Sequence, residues 1–270
     1  MQLQEALITF GGKPYPKFGN IVILAGGAGS GKGFIRDKLL GIEGKVLDAD
    51  QLKQLVIECN LFDRVFRKEY GISLSELDLG NPKHVSNLHK FVADQKLESR
   101  RNNALALSLL ELPEDRLPNL IFDTTFKDLY KLEEISRLAN DFGYAVENVS
   151  IVWVVTQFEV AKQQNITSEQ RVPDKELEYT YFSVAQTMNF LLHRSEALQA
   201  HVDGDVWVVF NVKGVDSEFV QSEFGGGYMD NVNYFHIKER GQVVDLPADV
   251  EEILYSYADS ISPNGPKYRY

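Results

Sequence analysis

The chain has a single cysteine, Cys59, in 270 residues. An internal disulfide and a thiolate metal cluster are thereby excluded, and the low thiol content fits a reducing cytoplasm. Cys59 sits among Leu55, Val56, Ile57 and Leu61, where it reads as core filler. Histidine is also sparse. His84 and His89 are five apart and His193, His201 and His236 are scattered, so no H-E-x-x-H or Cys/His spacing speaks for zinc. There is no G-x-S-x-G elbow, no internal repeat and no low-complexity tract. No apolar run approaches the ~18 residues of a spanning helix, and no apolar stretch follows a basic start. A soluble protein is expected. Positive charge is in deficit, with 28 Lys and Arg against 39 Asp and Glu and a formal net charge of −11. That balance disfavours sequence-independent adhesion to nucleic acid or to an anionic membrane, although it leaves room for a local basic cleft.

What is present is ordinary globular material, 44% hydrophobic and 25% charged, enough for one α/β domain with extensions. Five apolar, β-branched runs cover residues 21–25, 45–47, 120–122, 149–155 and 206–212. They lack polar alternation and helical stretches separate most of them. The expected fold is therefore a doubly wound, three-layer α/β/α arrangement around a parallel five-stranded sheet. A mostly helical insertion spans residues 51–112, and its last piece, 85–110, has no Gly or Pro and places Leu88, Val92, Leu97, Leu105 and Leu109 at helical spacing. Residues 128–142, ending at Gly143, read as a crossover helix. Residues 213–270 form a C-terminal extension. It has a flexible turn at Gly225-Gly226-Gly227, a hairpin pairing 234–237 with 242–244 around Glu239-Arg240-Gly241, a short helix over 249–258 and an unstructured end.

The most informative run is Gly26-Gly27-Ala28-Gly29-Ser30-Gly31-Lys32-Gly33-Phe34, between the first strand and a helix. Strand, glycine loop and helix in this order form a phosphate cradle. Glycines let successive N–H groups turn inward, the helix start adds positive potential, and Lys32 reaches the β and γ oxygens. Gly33 stands where most such loops carry the Ser or Thr that ligates Mg²⁺.

Acidic residues follow the next two strands. In Leu47-Asp48-Ala49-Asp50-Gln51-Leu52-Lys53, two carboxylates stand at the carboxyl end of a parallel strand, where ligands bind in this fold class. Asp50 could orient an acceptor hydroxyl and take its proton, or it could cap a helix starting at Gln51. In Ile121-Phe122-Asp123-Thr124-Thr125, Asp123 has the form of a Walker B carboxylate; it could instead hold substrate or serve as a cap. A polar stretch within residues 163–173 reads as a lid that carries Arg171 over the nucleotide, or as a plain surface connection. The richest basic stretch, Lys83 to Arg101, is a solvated helix face or, through Arg100 and Arg101, a substrate-facing one. Tyr179, Tyr181 and Phe182 are expected to pack the lid helix onto the core.

The order of these motifs, G-x-x-G-x-G-K, then Asp-Ala-Asp-Gln-Leu-Lys, then Phe-Asp-Thr-Thr-Phe, then Arg171-Val172-Pro173, resembles the P-loop kinases of the phage polynucleotide 5′-kinase and zeta-toxin group. The resemblance covers about residues 21–212, which would be the kinase domain. It implies ATP as donor with Mg²⁺, Lys32 and Arg171 on the phosphates, and Asp50 as the residue that activates the acceptor hydroxyl. The metal would be held by phosphates and water together with Ser30, Asp48 or Asp123. Lys53, Asp123, Thr124, Arg100 and Arg101 would face the acceptor. That acceptor would be a nucleic-acid hydroxyl, at a 5′ end or on a hydroxymethyl base, or else a nucleoside, nucleotide or nucleotide sugar. A host-cytoplasm location would follow for a phage protein. The lid has one arginine where relatives often carry more, and the missing hydroxyl at position 33 leaves room for a nucleotide-binding switch without transfer.

Overall fold

The computed structural model describes residues 8–13, 15–167, 171–211, 218–221, 227–230 and 233–261. The chain runs β1 (Ile21–Ala25), α1 (Lys32–Lys38), β2 (Lys45–Asp48), α2 (Ala49–Cys59), α3 (Asp63–Tyr70), α4 (Pro82–Asp94), α5 (Leu97–Leu109), β3 (Leu120–Thr124), α6 (Leu129–Asp141), β4 (Val149–Val155), α7 (Phe158–Thr167), α8 (Asp174–Leu192), α9 (Ser195–Gln199) and β5 (Val206–Phe210). It continues through β6 (Glu218–Gln221), β7 (Gly227–Asp230), β8 (Asn233–Lys238) and α10 (Ala248–Ile261).

Strand residues alternate between two apolar layers. Ile21, Ile23 and Ala25 enter one core with Phe122, Ile151 and Tyr181, whereas Val22 and Leu24 enter the other with Ile35, Leu39 and Val152. Both faces are covered, so every residue of β1 and β4 is buried. This is why the strands read as unbroken apolar runs. The main sheet has six strands in the order β2-β3-β1-β4-β5-β8. The first five are parallel, and β8 runs antiparallel to β5. The protein thus has an α/β fold with a mostly parallel sheet, with β1 at its centre.

The expected hairpin over 234–244 is replaced by this sixth strand. Residues 233–238 add to the edge of β5, and residues 243–247 carry no strand. Pairing satisfies the row of backbone groups that β5 would otherwise present to solvent. Helix α10 then packs on α8: Asn189 donates to the Leu254 carbonyl at 3.4 Å and Tyr257 meets Trp153 edge-on. Strands β6 and β7 form a separate antiparallel pair. Of the glycine turn, Gly225 and Gly226 lie outside the described residues.

The insertion has its own small core, where Phe66 and Phe91 meet edge to face at 5.1 Å among Val56, Leu74, Leu88 and Leu97. The stretch 85–110 is two helices. Lys96 takes a left-handed backbone (φ 52°) between α4 and α5, although no Gly or Pro marks the place. The reversal lets α5 fold back and bury Leu97, Leu105 and Leu109. Cys59 is exposed at the end of α2 and is not core filler. Among the described residues, no helix is long and apolar enough to cross a membrane.

Candidate active site

The glycine loop leaves β1 at Gly26 and enters α1 through Gly31, which takes φ 86°, as Gly29 takes φ 74°. These left-handed positions need glycine. Gly27 is required for a different reason: a Cβ there would overlap the ring of Tyr181. Tyr181, buried on α8, also donates its hydroxyl to the Ala28 carbonyl at 3.0 Å. It therefore packs against the loop itself, and Tyr179 is 61% exposed and packs little.

Two further side chains fix the loop from below. Thr156 Oγ1, just past β4, and Asn211 Nδ2, just past β5, both donate to the Ser30 carbonyl, at 2.8 and 2.7 Å. Both are buried, so the bonds are shielded from water and the loop is held in one shape. Lys32 Nζ donates to the carbonyls of Gly26 at 2.9 Å and Gly27 at 3.3 Å, and lies 3.6 Å from Asp123 Oδ1.

Asp48 and Asp123 are register partners across β2 and β3, and both stand at the carboxyl end of the sheet. Asp123 faces Lys32 with one oxygen and Arg36 with the other, each at 3.6 Å. Burial raises its pKa, Lys32 and Arg36 pull it down, Asp48 pushes it up, and the net result is a carboxyl above its ordinary value. Asp48 accepts from the Asp50 backbone N–H at 2.8 Å and is the N-cap of α2. The cap is therefore Asp48, and the helix starts at Ala49, two residues earlier than the sequence suggests. The Asp50 carboxylate is left free of capping and pairs with Lys53 Nζ at 2.7 Å. Burial works to raise its pKa, but Lys53 outweighs it with help from Lys32 and His89, so Asp50 is held below the ordinary carboxylate value.

Lys32, Asp48, Asp50, Lys53, Asp123 and Thr124 line one cleft of 470 Å³. Its far wall is made by α4, α5 and the turn between them, and by α6 with the loop before it, which bring in His89, Lys96, Arg101, Lys127 and Lys131. Arg101 donates to the Asp48 carbonyl at 2.8 Å, and burial lowers its pKa. Burial and Lys53 likewise lower that of His89. Thr124 Oγ1 accepts from the Phe126 N–H at 3.2 Å. Arg100 is exposed and outside this lining.

The segment after β4 is helical as far as Thr167, so α7 reaches into the expected lid, and residues 168–170 lie outside the described ones. Asn165 clamps the segment by donating to the Val172 carbonyl at 2.7 Å and accepting from its N–H at 2.9 Å. The Arg171 N–H donates to the Leu79 carbonyl at 3.2 Å, which ties the segment to the insertion. Arg171 Nε is buried without a hydrogen-bond partner among the described residues, and the side chain stands outside the cleft lining.

The residues expected to hold Mg²⁺ offer it few side-chain oxygens of their own. Among the described residues no three His, Cys, Asp or Glu side chains are grouped to hold a metal ion by themselves, and an Mg²⁺ that arrives with a nucleotide takes most of its ligands from phosphates and water. Ser30 is buried, one Asp48 oxygen is used as a cap, and position 33 offers no side-chain oxygen.

Arg36, Thr156, Asn211 and the Tyr181–loop contact were not anticipated from sequence. Thr156 and Asn211 could have been found by the rule that points to Asp48 and Asp123, since all four lie where parallel strands end. Arg36 is four residues after Lys32 and so shares its helix face.

No protein-family model matches the chain, and no curated protein matches it. Solved structures do. A chain from the AvrRxo1-ORF1:-ORF2 complex with ATP aligns with a TM-score of 0.50 and 12% identity, over 94% of this chain and 67% of that one. The form of that complex with sulphate ions gives 0.50 and 13%, over 93% and 66%. A chain of the PezAT toxin–antitoxin system of Streptococcus pneumoniae aligns more loosely, at 0.44 and 16%, over 73% and 69%. The present chain thus spans about two thirds of the length of these relatives. At such identities the likeness is one of fold, an α/β fold with a mostly parallel sheet.

Proposed function

We propose that the protein is an ATP-dependent phosphotransferase that moves the γ-phosphoryl group to a hydroxyl of an acceptor seated in the cleft. The observation that carries this reading is that Lys32 and Asp50 line the same cavity, one from the loop side and one from the insertion side. A donor site and a candidate acceptor base thus open into one space. The structural likeness to a chain solved with ATP supports the donor half.

In this reading the loop N–H groups and Lys32 hold the phosphates, and Arg171, outside the cleft lining in this structure, is the residue that its segment would have to carry over them. Asp50 is kept ionised by Lys53, so it can accept the hydroxyl proton as the oxygen attacks phosphorus. Lys53 and Arg101 place positive charges beside the acids of the acceptor side, and Asp123 and Thr124 line the same cleft as Lys32. The cleft has the size of a small-molecule site and would hold one nucleotide-sized unit. A nucleic-acid acceptor would therefore enter as a 5′-terminal residue or as a single unstacked hydroxymethyl base. The same dimension favours, as a second reading, a free nucleoside, nucleotide or nucleotide sugar.

The experiment is incubation with γ-labelled ATP and a panel of 5′-hydroxyl DNA and RNA, hydroxymethyl-pyrimidine DNA, nucleosides and nucleotide sugars, with Mg²⁺, Mn²⁺ or EDTA. Transfer to one class identifies the acceptor. Nucleotide binding without transfer to any of them would leave a switch, and the kinase reading would fall.

A further inference from the structure

The ordinary loop of this kind places a hydroxyl directly after its lysine and a carboxylate on the neighbouring strand, with Mg²⁺ between them. The carboxylate is here, as Asp123, but the hydroxyl is not. Position 33 is also sterically open: a Cβ built there would meet one neighbour within 4 Å, Arg36 Nη2 at 3.9 Å. A guanidinium therefore borders the space where the hydroxyl and its metal would stand.

Arg36 is fixed in that place by two carboxylates. Its Nε donates to Asp37 Oδ1 at 2.8 Å and its Nη1 lies 3.6 Å from Asp123 Oδ2. Nη2 is the atom nearest to a side chain built at Gly33. One turn earlier on the same helix, Lys32 faces the other Asp123 oxygen. A divalent cation drawn to Asp123 would have to share it with two fixed positive charges and would be repelled by both. Arginine suits the vacated role, since its planar fork presents several donors to phosphate oxygens and keeps its charge at any working pH. The side chain is 25% exposed, so a ligand can reach it.

Resting on the nucleotide-binding reading above, we infer that Arg36 supplies the second positive charge at the phosphates, in the place a hydroxyl-held Mg²⁺ would take, and that ATP binding depends little on divalent metal. The plain alternative is a helix-surface ion pair with no part in nucleotide binding.

Calorimetric titration of ATP into the full chain, in excess Mg²⁺ and in EDTA, separates the two. For the unaltered protein the affinities in the two buffers should agree within about threefold. Arg36→Ala should weaken binding in EDTA by about tenfold or more, the weight of a charge-assisted phosphate contact. Arg36→Lys should retain most of it. Gly33→Ser combined with Arg36→Ala should recover binding in Mg²⁺ and not in EDTA. Thermal melts confirm that each variant is folded, and Arg36→Lys keeps the test informative should Arg36→Ala fold poorly. The inference is overturned if the unaltered protein loses tenfold or more in EDTA, or if Arg36→Ala binds as the parent does there. Absence of ATP binding in both buffers would instead remove the nucleotide reading, and this inference with it.

Discussion

Asp48 and Asp123 stand opposite one another across β2 and β3, yet their carboxylates are held by different things. Asp48 is turned to the backbone of α2, and Asp123 to Lys32 and Arg36. Capping by Asp48 frees Asp50, two residues on, to face the cleft with Lys53. The division of labour among three neighbouring acids is thus set by where α2 begins.

Asp50→Asn is expected to lower transfer by about 10²–10⁴-fold, the range for loss of a positioned base, while ATP affinity stays within about twofold. Steady-state kinetics beside calorimetric ATP binding would show this. A parallel fall in binding would mean that Asp50 acts on the donor side.

Lys53 should set the pH at which Asp50 works. Its ammonium holds the Asp50 carboxyl below the ordinary value, so Lys53→Met should shift the acid limb of the kcat/KM profile to higher pH. An unmoved limb would assign that ionisation to another group.

Stability should respond in opposite senses to the two perturbed acids. Asp50 has a lowered folded pKa, so its contribution is present above the unfolded carboxylate value of about 3.9 and is lost as pH falls through the folded value. Asp123 has a raised folded pKa, so ionising it costs stability at neutral pH and protonation on acidification relieves that cost. Asp123→Asn should therefore melt above the parent at pH 7, with the gap closing as the pH is lowered. A lower melting point at pH 7 would show that pairing with Lys32 and Arg36 outweighs burial.

Gly27→Ala drives a methyl group into the buried Tyr181 ring. Overpacking of this kind costs about 1–3 kcal/mol, which in a protein of this size lowers Tm by several degrees. Tyr181→Phe, which keeps the ring and loses the bond to Ala28, should cost about 0.5–1.5 kcal/mol. Differential scanning calorimetry of the two variants would distinguish ring packing from the hydroxyl.

The strands and the loop were readable because each is a local property: apolar runs of strand length, and glycines before a lysine. Thr156 and Asn211 act on Ser30 from 126 and 181 residues away, and no local pattern reports such a contact. The break at Lys96 was hidden because lysine is an ordinary helix former, and the left-handed turn is imposed by the packing of α4 and α5 around it. Residues 233–238 were recognisable as a strand, but a sequence of that length does not say which edge it joins. The cap at Asp48 escaped because a carboxylate ending a strand and one starting a helix look alike when the two elements abut.

Strand β8 lies far along the chain from the glycine loop, but its pairing with β5 ends at Phe210, the residue before Asn211. The last parallel strand is thus gripped on its outer side immediately before it hands a donor to the Ser30 carbonyl. The shape of the glycine loop is in this sense a property of the whole width of the sheet, and removing residues 233–261 would be felt at the loop although none of them lines the cleft.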